Sequence, residues 1–93
     1  MHTQIVTKIE HSYIVKNPKI QGGEPIIKGT RFPVRSVVFY VVKEGMLPEQ
    51  LVNEFKYLNL PAVHDALSYY YEHRLEIDRL IEQNTESAWK RKI

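Results

Sequence analysis

Five of the lysines and arginines in the first part of the chain are the side chains with the clearest chemical meaning. They could neutralise phosphate groups, and up to residue 35 only Glu10 and Glu24 oppose them. The five are Lys16, Lys19, Lys28, Arg31 and Arg35. Positive charge concentrated in this way favours a polyanion such as DNA. A solvated surface is the alternative, since the net charge of the whole chain is only +2.

No arrangement of residues suited to catalysis or metal binding stands out. The histidines His2, His11, His64 and His73 lack the spacing of metal ligands. The chain has no cysteine, which excludes disulfides and thiolate metal sites. No acid pair or nucleophile–base arrangement is visible. The sequence therefore predicts a protein that is not an enzyme and that needs no cofactor and no metal.

The segment 22–34 holds three of the four glycines and two of the five prolines. It lacks the Gly-Lys-Ser/Thr ending of a phosphate loop, so backbone redirection is the better interpretation. Glycine permits positive φ, which favours a tight turn at Gly22 and Gly23 and a sharp change of direction at Gly29. Arg31, inside this segment, could equally serve a structural ion pair or a nucleic-acid contact.

The length of 93 residues fits one domain. The first residues contain no apolar run of signal-peptide length, and no segment approaches the roughly 20 apolar residues of a membrane span. These observations predict a cytoplasmic protein without a membrane partner.

Short β-prone runs precede the helices. In residues 4–10, Ile5, Thr7 and Ile9 would share one face of a strand and Val6 and Lys8 the other. Residues 13–15 are also β-prone, and residues 25–28 form a third extended piece. His11 and Ser12 could form the turn of a hairpin between the first two runs.

Everything after residue 33 has helical periodicity, with three predicted helices. The first covers residues 34–44 and ends at Gly45, a favourable residue after a helix C-terminus. The second opens at Pro48 and ends near residues 56–57. The third is capped near Asn59 and runs to the C-terminal region along a heptad-like seam. That seam is formed by Val63, Leu67, Tyr70, Arg74, Ile77, Ile81, Asn84 and Ala88.

The C-terminal part of this long helix predicts a partner interface. Past Arg74 the apolar residues are few and stand among charged ones, so a lone helix would be marginal in water. A second chain could cover them, and a solvated tail is the alternative. The predicted interface consists of Tyr70, Arg74, Ile77, Leu80 and Ile81.

Three helices with a short second and a long third fit a helix-turn-helix, in which the third helix enters the major groove of DNA. Asn59, His64 and Ser68 at its start could contact bases, although this face has no lysine or arginine and Asp65 would repel phosphates.

The expected fold is thus mainly α: a homeodomain-like or winged helix-turn-helix domain with a short N-terminal β-hairpin and an extended last helix. Residues 1–33 would form the strands and the Gly/Pro-rich turns, residues 34–73 the helix-turn-helix core, and residues 74–93 a charged helical extension or tail.

The run 20–34, Ile-Gln-Gly-Gly-Glu-Pro-Ile-Ile-Lys-Gly-Thr-Arg-Phe-Pro-Val, resembles the signature of the family catalogued as domain of unknown function 433. The shared pattern is a Gly-Gly-x-Pro turn, then Gly-Thr-Arg, then an apolar residue and a valine that opens a helix. Segments 48–51 and 63–70 are also similar, and the likeness covers about residues 13–73. It does not extend to the charged segment after Arg74.

This resemblance implies a small prokaryotic helix-turn-helix protein that acts as an antitoxin. Such a protein would neutralise a cognate PIN-like ribonuclease toxin, bind its own promoter as a repressor and form a homodimer. The alternative is a protein-interaction adaptor that dimerises through its long C-terminal helix and does not bind DNA.

Overall fold

A computed structural model describes the backbone of residues 10–91 and the side chains of residues 10–84. Within these residues the chain is mainly helical, with four helices and a small two-stranded sheet. The elements are β1 (Ile14–Lys16), a 3-10 turn (Gln21–Gly23), β2 (Pro25–Ile27), α1 (Val34–Val38) continued by a π-helical turn (Phe39–Lys43), α2 (Pro48–Glu54), α3 (Leu60–Glu72) and α4 (Arg74–Arg91).

The sheet joins two of the three predicted β-prone runs. β1 and β2 pair antiparallel, with Ile14 opposite Ile27 and Lys16 opposite Pro25. The amide of Lys28 extends the ladder by donating to the carbonyl of Tyr13. The hairpin predicted between residues 4–10 and 13–15 cannot be compared, because its first strand lies almost entirely outside the described residues.

The glycine turns are where the sequence places them. Gly22 and Gly23 have φ of 64° and 85°, and Gly29 has φ of 81°, a region that glycine adopts without a steric cost. Thr30 completes the second turn: its hydroxyl donates to the carbonyl of Ile27 and accepts from the amide of Phe32. The predictions of a turn at residues 22–23 and a redirection at Gly29 are confirmed.

The predicted starts of the second and third helices are confirmed as well. α2 begins at Pro48, and the side-chain oxygen of Asn59 accepts a 2.9 Å hydrogen bond from the amide of Ala62 at the start of α3. The first helix differs from the expectation in its last turn, which is π-helical over Phe39–Lys43. It ends before Gly45, whose φ is 77°.

The prediction of one long third helix is wrong. The chain leaves helical geometry at His73, where φ is −134° and ψ is 46°, so α3 and α4 are separate helices. The imidazole of His73 stabilises the break by stacking on Tyr69 at a centroid distance of 4.0 Å and by donating from Nδ1 to the carbonyl of Tyr69. The apolar seam continues across this break, but the two halves lie on differently directed helices.

The core gathers side chains from β2, all four helices and the connecting segments. α4 contributes through Ile77, which is 0% exposed and belongs to the same apolar cluster as Val34 and Val38 of α1. The expectation that Ile77 needs a second chain to be covered is therefore also wrong, because α4 contacts α1 and α3. None of the helices described here is long and apolar enough to cross a membrane.

Candidate nucleic-acid and partner surfaces

The turn at residues 28–31, named here the basic turn, is anchored beside the turn between α2 and α3. The anchor is Phe32, whose ring lies 4.9 Å from that of Phe55 and 6.3 Å from that of Tyr57, centroid to centroid. Lys28 and Arg31 are exposed within the basic turn, and Lys56 and Tyr57 are exposed in the turn between α2 and α3. Cations and an exposed aromatic ring thus lie on these two neighbouring turns.

Two of the five predicted phosphate-binding cations are engaged within the chain. Nε of Arg35 lies 2.8 Å from Oε1 of Glu24, and the two side chains are only 19% and 10% exposed. Nζ of Lys16 donates a 3.0 Å hydrogen bond to Glu76. An anion would have to compete with these carboxylates.

The remaining three cations have a different environment. Lys19, Lys28 and Arg31 are exposed, and the structure records no ion pair for them within residues 10–84. The carbonyl of Arg31 accepts a hydrogen bond from the side chain of Gln21, which fixes the backbone of the basic turn and leaves the guanidinium outward. Of these three cations, Lys28 and Arg31 belong to the basic turn.

The three predicted base-contacting residues are all exposed, Asn59 just before α3 and His64 and Ser68 within it. Part of the Asn59 side chain is already hydrogen-bonded within the chain, because its oxygen caps α3. Its amide nitrogen remains to donate outward. His64 and Ser68 lie one turn apart on the outer face.

The sequence suggested that Asp65 faces outward, and the structure shows that it does not. Its Oδ1 lies 2.7 Å from Nδ1 of His11, and its Oδ2 accepts a 2.9 Å hydrogen bond from the amide of Tyr13. The other ring nitrogen of His11 lies 3.0 Å from Oε1 of Glu72. Sequence reasoning missed His11, because no local signal marks a partner 54 residues away.

Three pKa values shift around this cluster. The hydrogen bond to Asp65 raises the pKa of His11, and partial burial opposes it without cancelling it. Partial burial would raise the pKa of Glu76, but the hydrogen bonds donated by Tyr69 and Lys16 outweigh burial and hold it below its usual value. Burial together with the bond to Glu76 raises the pKa of Tyr69, so its hydroxyl remains a donor.

The predicted partner interface divides into buried and accessible residues. Tyr70 and Ile77 are 1% and 0% exposed inside this chain and offer nothing to a partner. Leu80 and Ile81 pack partly against the core. Arg74 is exposed, and its guanidinium lies over the rings of Tyr70 and Tyr71 at 5.7 and 5.9 Å.

Leu75 is an apolar residue on this side that the predicted interface left out. It is 82% exposed. It borders an open groove of about 590 Å³ between α4 and the turn at residues 22–25, lined on the α4 side by Leu75, Arg79 and Leu80. In the described part of the chain no cluster of three His, Asp or Glu side chains could hold a metal ion.

The comparisons with known proteins agree with the arrangement of strands, turns and helices. The family model described as "Protein of unknown function (DUF433)" matches residues 14–70. The crystal structure of a DUF433 member protein from Anabaena variabilis superposes with a TM-score of 0.71 at 30% sequence identity, covering 75% of this chain and 68% of that one. No curated protein matches the chain. Because the family model spans more than half of the sequence and a solved member shares the fold, the chain belongs to the DUF433 family.

Proposed function

We propose that this chain is a DNA-binding antitoxin of a prokaryotic toxin–antitoxin pair, which neutralises a PIN-like ribonuclease and represses its own promoter. The observation that supports DNA binding is the packing of Phe32 on Phe55 and Tyr57. This packing holds the basic turn beside the turn that connects α2 to α3. Phosphate contacts beside the start of a helix are what a helix-turn-helix protein uses to set its register on DNA.

In this proposal α2 crosses the DNA backbone and α3 enters the major groove. Lys28, Arg31 and Lys56 contact phosphates, and His64 and Ser68 face base edges. Lys16 and Arg35 are left out, because Glu76 and Glu24 already neutralise them. A homodimer would present two α3 helices to successive turns of the duplex, roughly 34 Å apart.

The test is a titration of a fluorescent duplex from the protein's own promoter at several salt concentrations. Each phosphate contact contributes about −0.9 to the slope of log affinity against log salt, so Arg31→Gln and Lys28→Gln should each make the slope shallower by about that amount. Lys43→Gln is the matched control, since Lys43 lies 3.8 Å from Asp78 and outside the basic turn. If the duplex did not bind even at low salt, the proposal that this chain binds DNA would be rejected.

The alternative function is a protein-interaction adaptor that does not bind DNA, and the exposure of Leu75 supports it. Leu75 beside the groove supplies an apolar contact for a partner protein, which is the toxin if the antitoxin proposal holds. Leu75→Asp should abolish binding of the toxin encoded next to the gene. Leu47→Asp, a similar change at a residue that is also well exposed but lies before α2, should leave it intact. Partner binding without duplex binding would favour the adaptor.

A further inference from the structure

Both ring nitrogens of His11 face carboxylates on α3. Nδ1 lies 2.7 Å from Oδ1 of Asp65, and Nε2 lies 3.0 Å from Oε1 of Glu72. A neutral imidazole has one donor and one acceptor nitrogen, so it would direct a lone pair at one of these carboxylates. Only the imidazolium can donate to both. The geometry is therefore that of a charged histidine held between two anions.

The surroundings make this contact sensitive to the charge on His11. The side chains of His11 and Asp65 are only 11% and 16% exposed, so water screens their interaction poorly. The imidazole packs edge-on against the ring of Tyr69 at 5.3 Å. Asp65 also accepts from the amide of Tyr13, so one carboxylate holds the backbone and the side chain of the same short segment.

Among the described residues, the other charged and titratable groups nearby do not supply a substitute cation. From α3, Asp65 and Glu72 face His11 together with the phenol of Tyr69. From β1 and α4, Lys16 and Glu76 pair with each other beside the hydroxyl of Tyr69. His73 stacks on the Tyr69 ring, and Glu10 precedes His11 in the chain. Within residues 10–84, His11 provides the ion pairs recorded for Asp65 and Glu72.

We propose that His11, Asp65 and Glu72 form a pH-operated clasp, which holds residues 11–13 against α3 while His11 is protonated and releases them when it is neutral. Opening the clasp uncovers Tyr69, detaches the end of β1 and leaves Asp65 as a bare carboxylate on α3. The clasp depends on contacts within this chain and does not require DNA or toxin binding.

The direction of the pH dependence follows from linkage. The hydrogen bond with Asp65, aided by the charge of Glu72, raises the pKa of His11 in the folded chain above its ordinary value of 6.5. A raised pKa stabilises the closed state fully below 6.5, and this stabilisation disappears as the pH rises through the higher folded-state value. Opening should thus become more favourable on the alkaline side.

Amide hydrogen exchange of Tyr13 measures the clasp directly, because this amide donates to Asp65 only when the clasp is closed. Exchange should be followed from about pH 5.5 to about pH 8.5, a range that brackets the usual histidine pKa, and divided by the intrinsic base-catalysed rate. The corrected opening constant should rise by up to tenfold per pH unit within the window set by the two pKa values. His11→Gln should open more and lose this pH dependence, while His64→Gln should retain it.

A second measurement keeps the clasp testable if His11→Gln does not fold. The imidazole of His11 in the unaltered chain should titrate by NMR above 6.5, and Asp65→Asn should lower that midpoint. A corrected opening constant that stays flat with pH in the unaltered chain would overturn the clasp. So would a His11→Gln chain with the same pH dependence as the parent, or a His11 midpoint at or below 6.5.

Discussion

The hydroxyl of Tyr70 donates a hydrogen bond of 2.8 Å to Oδ1 of Asp78, eight residues further along the chain. In one continuous helix two residues at this spacing would be separated by about 12 Å along the axis. The bond forms here because the chain leaves helical geometry at His73, between the two residues. It joins the two helices at the point where the sequence predicted a single one.

Tyr70→Phe should lower the free energy of unfolding by about 1 kcal/mol, the usual net value of one hydrogen bond. The ring stays buried, so the loss reports the hydroxyl alone. Tyr71→Phe is the matched control, because Tyr71 is exposed and its hydroxyl makes no hydrogen bond within residues 10–84. Urea denaturation of both variants measures the difference, and an equal effect of the two changes would contradict the role given to Tyr70.

Ile77→Ala should destabilise the chain by about 2–4 kcal/mol, since it leaves a cavity among buried side chains of α1 and α3. Leu75→Ala, two residues earlier on α4, should change stability very little because Leu75 is almost fully exposed. Thermal and chemical denaturation would show the contrast. If the two variants were equally stable, α4 would not be packed on the core in solution.

Arg35→Met should lower stability by about 2 kcal/mol, because it leaves the poorly exposed carboxylate of Glu24 without its ion pair. Arg31→Met should leave stability unchanged, since its guanidinium is outside the core. Comparing the two variants therefore distinguishes an arginine needed for folding from one available for phosphate binding. A stability loss at Arg31 equal to that at Arg35 would count against the assignment.

Glu76 should cause the free energy of unfolding to decrease at acidic pH, which gives the pH dependence of stability an acid limb. Its folded-state pKa is below the ordinary value of 4.5, so its stabilisation is present above 4.5 and disappears as the pH falls through the lower folded-state value. Glu76→Gln should flatten this limb in denaturation curves recorded at several pH values. Glu82→Gln, an exposed change on the same helix, should leave the limb as it is.

Gly29→Val should destabilise the chain by about 1–3 kcal/mol. A Cβ at this position would meet no atom within 4 Å, so the cost comes from placing a branched residue at φ of 81° and not from a clash. Gly29→Asn should cost less, because asparagine adopts left-handed geometry more readily. Equal melting temperatures for the three proteins would show that the redirection does not depend on glycine.

The sequence by itself determined the local geometry of this protein. Gly22, Gly23 and Gly29 mark turns because positive φ excludes most other residues, and Asn59 marks a helix start because its side chain can cap the first amides. These features depend on a few neighbouring residues, so they can be recognised from sequence alone. The mainly helical class followed from apolar periodicity in the same way.

Only the tertiary structure decided where the last helix breaks and which charges are engaged. The seam from Val63 to Ile81 is compatible with one continuous helix that packs on a partner chain. It is equally compatible with two helices that pack on the core of the same chain. Apolar periodicity shows which residues lie on the buried face, but it does not show which surface covers that face. The contact of Ile77 with the core selects the second arrangement. Arg35 and His11 likewise have partners distant in sequence, and such pairs exist only after the chain has folded.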